Sequence, residues 1–160
     1  MQANGVIYVI GGAVGATFYL EPSATEDIDI FVLLPTLPGS FFLELTPVYE
    51  YLKGRGSKVE GERILVGDWL VQFLRANGPL EREALDEAVH TDVEGVPTFV
   101  PRTEHLVALA LRVGRAKDHA RIIQFLEQNV VDLDKLNRIL TRHGLLPTWE
   151  KFERRYLKEE

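Results

Sequence analysis

The sequence predicts an α/β chain: a small mixed β-sheet lobe over residues 1–100, followed by an α-helical lobe over residues 101–160, the two packed as one compact unit. Two patterns carry that expectation. Short β-prone runs bounded by Gly and Pro fill the first hundred residues, whereas apolar residues recur at helical spacing in the remainder. With 160 residues, 46% of them hydrophobic, the chain is long enough to bury a core. No repeat, low-complexity tract or long linker interrupts it.

Val6–Ile10 reads as a buried strand, Gly11-Gly12 as a tight turn, and Ala13–Leu20 as a short helix ended by Pro22 and Ser23. Ile28–Leu34 is a second strand, stopped by Pro35 and the loop Thr36-Leu37-Pro38-Gly39-Ser40. Thr46 and Pro47 provide an N-cap and a first-turn proline for a helix through Leu52, which Gly54 and Gly56 close. Glu62–Val66 and Trp69–Leu74 flank Gly67-Asp68, a two-residue turn signal for an antiparallel hairpin. From Pro79 the chain turns helical, apart from an extended piece, Val96–Val100. Leu106, Leu109, Ala110 and Val113 form one helical stripe; Ile122, Ile123 and Leu126 a second; Leu133, Leu136, Ile139 and Leu140 a third. Asp132 reads as an N-cap, Gly144 as the residue just past a helix end, and Pro147–Lys158 as a final charged helix.

The chemistry-bearing stretch is Asp27-Ile28-Asp29-Ile30-Phe31-Val32, preceded by Val9-Ile10-Gly11-Gly12. Strand side chains alternate faces, so Asp27 and Asp29 point the same way while Ile28 and Ile30 enter a core. Two adjacent carboxylates repel and raise one another's pKa unless a cation lies between them. A hard divalent ion that takes oxygen ligands, most simply Mg²⁺ or else Mn²⁺, relieves that repulsion.

A strand ending in Gly-Gly, a short helix and then Asp-x-Asp on the next strand resembles the signature of the nucleotidyltransferase superfold, which includes DNA polymerase beta and the CCA-adding enzymes. Gly114-Arg115-Ala116-Lys117-Asp118, within helical sequence, further resembles the Arg-x-Lys-Asp segment of the bacterial AbiEii-type proteins. Together the matches reach across residues 6 to about 126. The resemblance implies that Asp27 and Asp29 hold the metal and that the Gly11 and Gly12 backbone cradles a nucleoside triphosphate, as suits an anion at a helix N-terminus. It also implies that Lys117, with Arg115 nearby, meets phosphate, and that a nucleoside monophosphate passes to a hydroxyl on RNA, protein or a small molecule. The superfold's usual serine after the first glycine is here Gly12.

Polymerase-like chemistry in that superfold also uses a third carboxylate on a neighbouring strand. The matching position in Trp69–Leu74 is Gln72, which offers a neutral oxygen and no charge. Glu60, Glu62 and Asp68 are the substitutes within reach in sequence. The departure opens a second reading, a catalytically impaired module that binds nucleotide, RNA or a protein partner. Lys117 and Arg121, four apart on a helix, share a face, and Asp118 can pair with Arg115 or Arg121; the alternative for this cluster is a solvated helix with routine ion pairs.

A rival reading of Gly11-Gly12-Ala13-Val14-Gly15-Ala16 is a dinucleotide-binding loop. Its later glycines would be Ala13 and Ala16, and its acidic residue should end a strand rather than begin one. No Walker-type G-x-x-x-x-G-K-[ST], Ser-His-Asp order or zinc spacing occurs, so His90, His105, His119 and His143 read as surface or packing residues. Trp69, Trp149, Tyr49 and Tyr51 could stack on a base, though scattered aromatics are more often core.

The net charge of −6 argues against strong nonspecific nucleic-acid binding. It is uneven: residues 1–100 carry 6 Lys and Arg against 15 Asp and Glu, whereas residues 101–160 carry 12 against 9. An acidic metal-binding half facing a more basic helical half suits a triphosphate. The absence of cysteine excludes disulfides and thiolate metal sites, and with no basic leader and no long apolar run the expected location is cytoplasmic, without membrane contact. The first strand starts five residues from the first residue given, whereas AbiEii-type proteins carry a helix ahead of it. One sheet face is therefore expected to be covered by a protein partner or a second copy.

Overall fold

The computed structural model describes residues 7–21, 27–33 and 46–158, without the side chains of Thr46 and Pro47. The stops expected at Pro22, Ser23 and Pro35 through Ser40, and the Thr46-Pro47 cap, lie outside the described residues. The order of elements is β1 (Ile7–Ile10), α1 (Gly12–Ala16), β2 (Asp27–Leu33), α2 (Thr46–Lys53), β3 (Lys58–Glu60), β4 (Arg63–Val66), β5 (Trp69–Arg75), α3 (Pro79–Asp86), β6 (Val89–Val93), β7 (Val96–Val100), α4 (Thr103–Val113), α5 (Ala116–Glu127), α6 (Leu133–Arg142) and α7 (Leu146–Tyr156).

Five strands form one mixed sheet in the order β1-β2-β5-β4-β3. Among the described strands only β2 and β5 pair in parallel, with Asp27 opposite Leu70, Asp29 opposite Gln72 and Phe31 opposite Leu74. The antiparallel β1–β2 pairing, Val9 opposite Phe31, excludes the dinucleotide-binding reading, since that fold needs a parallel crossover there. Side-chain alternation divides the sheet cleanly. One face carries Ile28, Ile30, Val32, Ile64, Val71 and Phe73, which pack with Val48, Tyr49 and Leu52 of α2. The other carries Asp27, Asp29, Phe31 and Leu33; Phe31 and Leu33 join Val9, Ala76, Leu85 and Phe99 in a second cluster. Among the described residues, that apolar cluster does not include the carboxylate end of the face.

The largest core belongs to the helices. Leu106, Val107, Ala108 and Leu111 of α4 meet Ile122 and Phe125 of α5, Leu136, Ile139 and Leu140 of α6, and Phe152 of α7, with Ala16 of α1, Leu20 beyond it, and Leu80 and Ala84 of α3 joining them. Val113 and Leu133, expected in the helical stripes, are exposed, because each stands at a helix terminus where the apolar face runs off the core. Asp132 caps α6 by accepting the Lys135 amide at 3.0 Å, and Gly144 follows its end with φ 68°.

Four local expectations are corrected. The first helix is a single five-residue turn rather than Ala13–Leu20, and residues 17–19 continue as turns. The stretch after Pro79 is not helical up to Val96, since β6 pairs with β7 through a two-residue turn in which Glu94 and Gly95 both take positive φ. That turn is the mirror-image type that suits a hairpin's twist, and the Asp92 carboxylate accepts the Gly95 amide at 2.7 Å. β3 is a further, three-residue edge strand. Finally, Gly114 breaks the helical sequence: its φ of 72° ends α4, and α5 starts afresh at Ala116.

Candidate active site

Asp27 and Asp29 rise from the first and third positions of β2, on the face away from α2. The turn that follows β1 is held against them. The Gly11 amide donates to the Asp29 carbonyl at 2.9 Å, and Gly12, with φ 58°, packs directly on the Asp29 carboxylate. A Cβ on Gly12 would collide with Asp29 Oδ2, and one on Gly11 would lie 2.6 Å from the Phe31 ring. Any side chain at position 12 would therefore require the Asp29 carboxylate to move. The two glycines differ: the Gly11 N–H is engaged by the sheet and the Gly15 N–H by the Gly11 carbonyl, which leaves the amides of Gly12, Ala13 and Val14 as those the first turn of α1 offers.

The start of α5 lies near enough for Arg115, Lys117 and Arg121 to act on Asp29. Its geometry is set by Asp118, 2% exposed, whose Oδ2 accepts the Arg115 backbone amide at 3.2 Å and Arg115 Nε at 2.6 Å, while Oδ1 accepts Arg115 Nη2 at 3.1 Å. Arg121 Nη1 approaches the same carboxylate at 3.7 Å. Asp118 is thus both the third-position cap of the helix and the anchor of two guanidiniums. Burial pushes its pKa up, but the Arg115 hydrogen bonds and the charges of Arg115 and Arg121 outweigh it and hold the carboxyl below the usual aspartate range.

The two clusters feel each other. Burial, then the neighbouring Asp27, raises the Asp29 pKa, and Arg115, Lys117 and Arg121 all pull it back. Asp29 in turn favours the charged forms of Arg115 and Arg121, although for Arg121 burial dominates and lowers the pKa. The acidic strand and the basic helix start, far apart in sequence, therefore share one electrostatic field.

Gln72 is the cross-strand neighbour of Asp29, and Arg63 is the next residue along the same row. Arg63 Nη2 lies 3.0 Å from Asp27 Oδ2, an ion pair that sequence reasoning missed. The three substitute carboxylates are exposed: Glu60 on the edge strand, Asp68 in the β4–β5 turn, and Glu62 in the turn between β3 and β4 rather than on a strand. Glu62 nevertheless lines, with Gln72, Phe31, Leu74, Glu81 and Arg112, a cleft of about 850 Å³ beside the carboxylate row. Trp69 is more than half exposed on the face opposite the carboxylates, and Tyr51 is likewise exposed, while Tyr49 meets Phe73 edge-on and Trp149 stacks on Phe152.

The histidines hold a second surprise. His105 Nε2 and His143 Nε2 both meet Glu83 Oε2, at 3.3 and 2.6 Å, and Arg142 Nη2 meets Glu83 Oε1 at 2.5 Å. Glu83, Glu87 and His105 bring ligand atoms within 4.8 Å of one another, but the carboxylates already face cations, Glu87 pairing with Lys135 at 3.8 Å. The cluster fastens α3 to α4 and α6. Burial lowers the His105 pKa more than Glu83 raises it, and Nδ1 has no hydrogen-bond partner among the described residues. These partners are 22 and 60 residues apart in sequence, so no local spacing signalled them.

No protein-family model and no curated protein matches the chain. Solved structures do. The antibiotic-resistance factor ANT(2'')-Ia in solution superposes with a TM-score of 0.54 at 14% identity, over 97% of this chain and 90% of its own. Its crystal structure in complex with adenylyl-2''-tobramycin gives 0.53 at 15% identity, over 97% and 91%. An antigenic nucleotidyltransferase-like protein from Paracoccidioides brasiliensis gives 0.51 at 11% identity, over 79% and 69%. The fold is therefore similar to that of nucleotidyltransferases: a mixed five-stranded sheet with several helices. Among the described residues no helix is long and apolar enough to cross a membrane.

Proposed function

We propose that the chain binds a nucleoside triphosphate with Mg²⁺, or Mn²⁺ in its place, on the carboxylate face of β2. What supports this reading is that Asp27 and Asp29 share one face of β2, with the Gly12 backbone packed on Asp29 and the cations at the start of α5 acting on it. Two neighbouring carboxylates, with the Asp29 pKa raised by burial and by Asp27, are a donor set suited to one hard divalent ion. When bound, that ion neutralises charge developing on the phosphoryl group. Asp27 and Asp29 would hold it, the amides of Gly12, Ala13 and Val14 would face phosphate oxygens, and Lys117 with Arg115 would approach the outer phosphates. The Arg115-Ala116-Lys117-Asp118 segment is what supports the AbiEii-type proteins as the nearer branch of the superfold.

In a complete reaction an acceptor hydroxyl oxygen would bond to the α-phosphorus as the bond to the bridging oxygen breaks, releasing pyrophosphate. The acceptor class, whether RNA, protein or small molecule, follows from none of these residues. Gln72 opposite Asp29 favours the second reading as well, a site that binds nucleotide while transferring it slowly, because no third carboxylate stands in that row. Calorimetric titration with each triphosphate tests the proposal. Binding should require the divalent ion and vanish in Asp27→Asn/Asp29→Asn, with the fold retained. A double variant that binds as tightly as wild type would overturn it.

A further inference from the structure

The row of side chains that crosses the sheet at Asp29 runs Asp29, Gln72, Arg63, one residue each from β2, β5 and β4. Register pairs stand on a common face in both parallel and antiparallel ladders, so the anion, the amide and the guanidinium project together. Arg63 reaches across β5 to Asp27, with Nη2 3.0 Å from Oδ2. The side chains of Arg63 and Asp27 are only partly exposed, 43% and 23%, and the contact joins β4 to β2 over the neutral Gln72.

We infer that Arg63 is the built-in cation of this cross-strand row: it holds Asp27 and limits the row to one divalent ion. The inference rests on the metal–nucleotide reading given above and deepens it. A guanidinium offers N–H donors and no lone pair, and it keeps its charge throughout the accessible pH range, so it cannot be a metal ligand and cannot be titrated out of the way. Asp27, Asp29 and Arg63 together carry a net single negative charge. One divalent ion already reverses the sign of this row, so a second would depend on the triphosphate for its charge balance and would find only Asp29, a neutral amide and an arginine as protein neighbours in the row. A carboxylate at position 72 alone would not restore a second site, because Arg63 is the nearest cation in the row and would pair with it.

The test is a Mn²⁺ titration of the full chain, following the spin-resonance signal of free Mn²⁺, with and without a nonhydrolysable triphosphate. Wild type should bind one Mn²⁺ per nucleotide complex, and so should Gln72→Glu and the charge-conserving Arg63→Lys. Arg63→Gln, or the bulkier neutral Arg63→Met, should bind Mn²⁺ alone about tenfold more tightly, the factor released by removing a unit charge about 6 Å from a divalent ion in water. Arg63→Gln/Gln72→Glu should take two ions per complex. Thermal melts establish that each variant is folded, and the wild-type count stands even where a variant is not. Two ions in wild type or in Gln72→Glu, or unchanged affinity in both neutral Arg63 variants, would overturn the role of Arg63 while leaving the metal–nucleotide reading intact. No Mn²⁺ bound by any form would overturn both.

Discussion

Replacing Asp118 with Ala removes several interactions at once, and their geometry fixes the size of the effect. The carboxylate accepts the amide at the head of α5 and two N–H groups of Arg115, and it draws Arg121 to 3.7 Å. Loss of a helix cap costs about 0.5–2 kcal/mol, and loss of charge-assisted hydrogen bonds about 1.5–3 kcal/mol. Arg115 is 54% exposed and regains water when released, which discounts the second figure toward its lower end. The combined loss is about 2–3 kcal/mol, a fall in Tm of about 4–12 °C for a chain of this size. The pH dependence has a definite sign. A carboxylate held below its ordinary pKa contributes stability that is fully present above the ordinary aspartate range and is lost as pH falls through the lowered folded value. Thermal melts of wild type and Asp118→Ala should therefore differ by a constant gap from neutrality down to mildly acidic pH, and the gap should close as pH falls further. A Tm at neutral pH within about 1 °C of wild type, or a gap that widens in acid, would refute the reasoning.

Gly12→Ala should lower stability by about 1–2 kcal/mol from its left-handed backbone alone and, by displacing the Asp29 carboxylate, should weaken Mg²⁺-dependent triphosphate binding in calorimetry; unchanged affinity would separate the turn from the site. Lys117→Ala should weaken triphosphate binding by about 1.5–3 kcal/mol, roughly 10- to 100-fold, and monophosphate binding much less, whereas equal losses for both nucleotides would return Lys117 to the solvated surface. Glu83→Ala should strand the buried His105 ring and cost about 1–3 kcal/mol in urea unfolding at neutral pH. Burial opposes ionisation of Glu83, but His143, Arg142 and His105 hold its pKa low, so that contribution should be lost as pH falls through the lowered value; an unaltered urea midpoint would contradict the helix-fastening role.

Parity is what made the centre of the site legible. Once Asp27-Ile28-Asp29-Ile30 is read as a strand, both carboxylates fall on one face, and the isolated Gln72 in Trp69–Leu74 falls on one face of its own strand by the same rule. Which residue then stands opposite which is decided by register, and register depends on the packing of whole faces rather than on any local signal. Arg63 shows the limit: as one arginine in a short strand it is unremarkable, and its pairing with Asp27 exists only because β5 lies between β4 and β2. β3 was invisible because its three residues are all exposed and carry no apolar period. β6 was missed because Val-His-Thr-Asp-Val has only its ends apolar and its turn is Glu-Gly rather than Asn-Gly or Asp-Gly. The Gly114 break lay in plain view, but a single glycine within helical sequence reads equally as a tolerated interior residue.

The central claim, that Asp27 and Asp29 share a divalent ion serving a bound triphosphate, is tested most directly by crystallography of the chain with Mn²⁺ and a nonhydrolysable triphosphate, using the manganese anomalous signal. The account predicts an anomalous peak between the Asp27 and Asp29 carboxylates, with phosphate density against the Gly12 backbone and the start of α5. An anomalous peak at Glu83 and His105 instead, or nucleotide bound away from the carboxylate face, would contradict it.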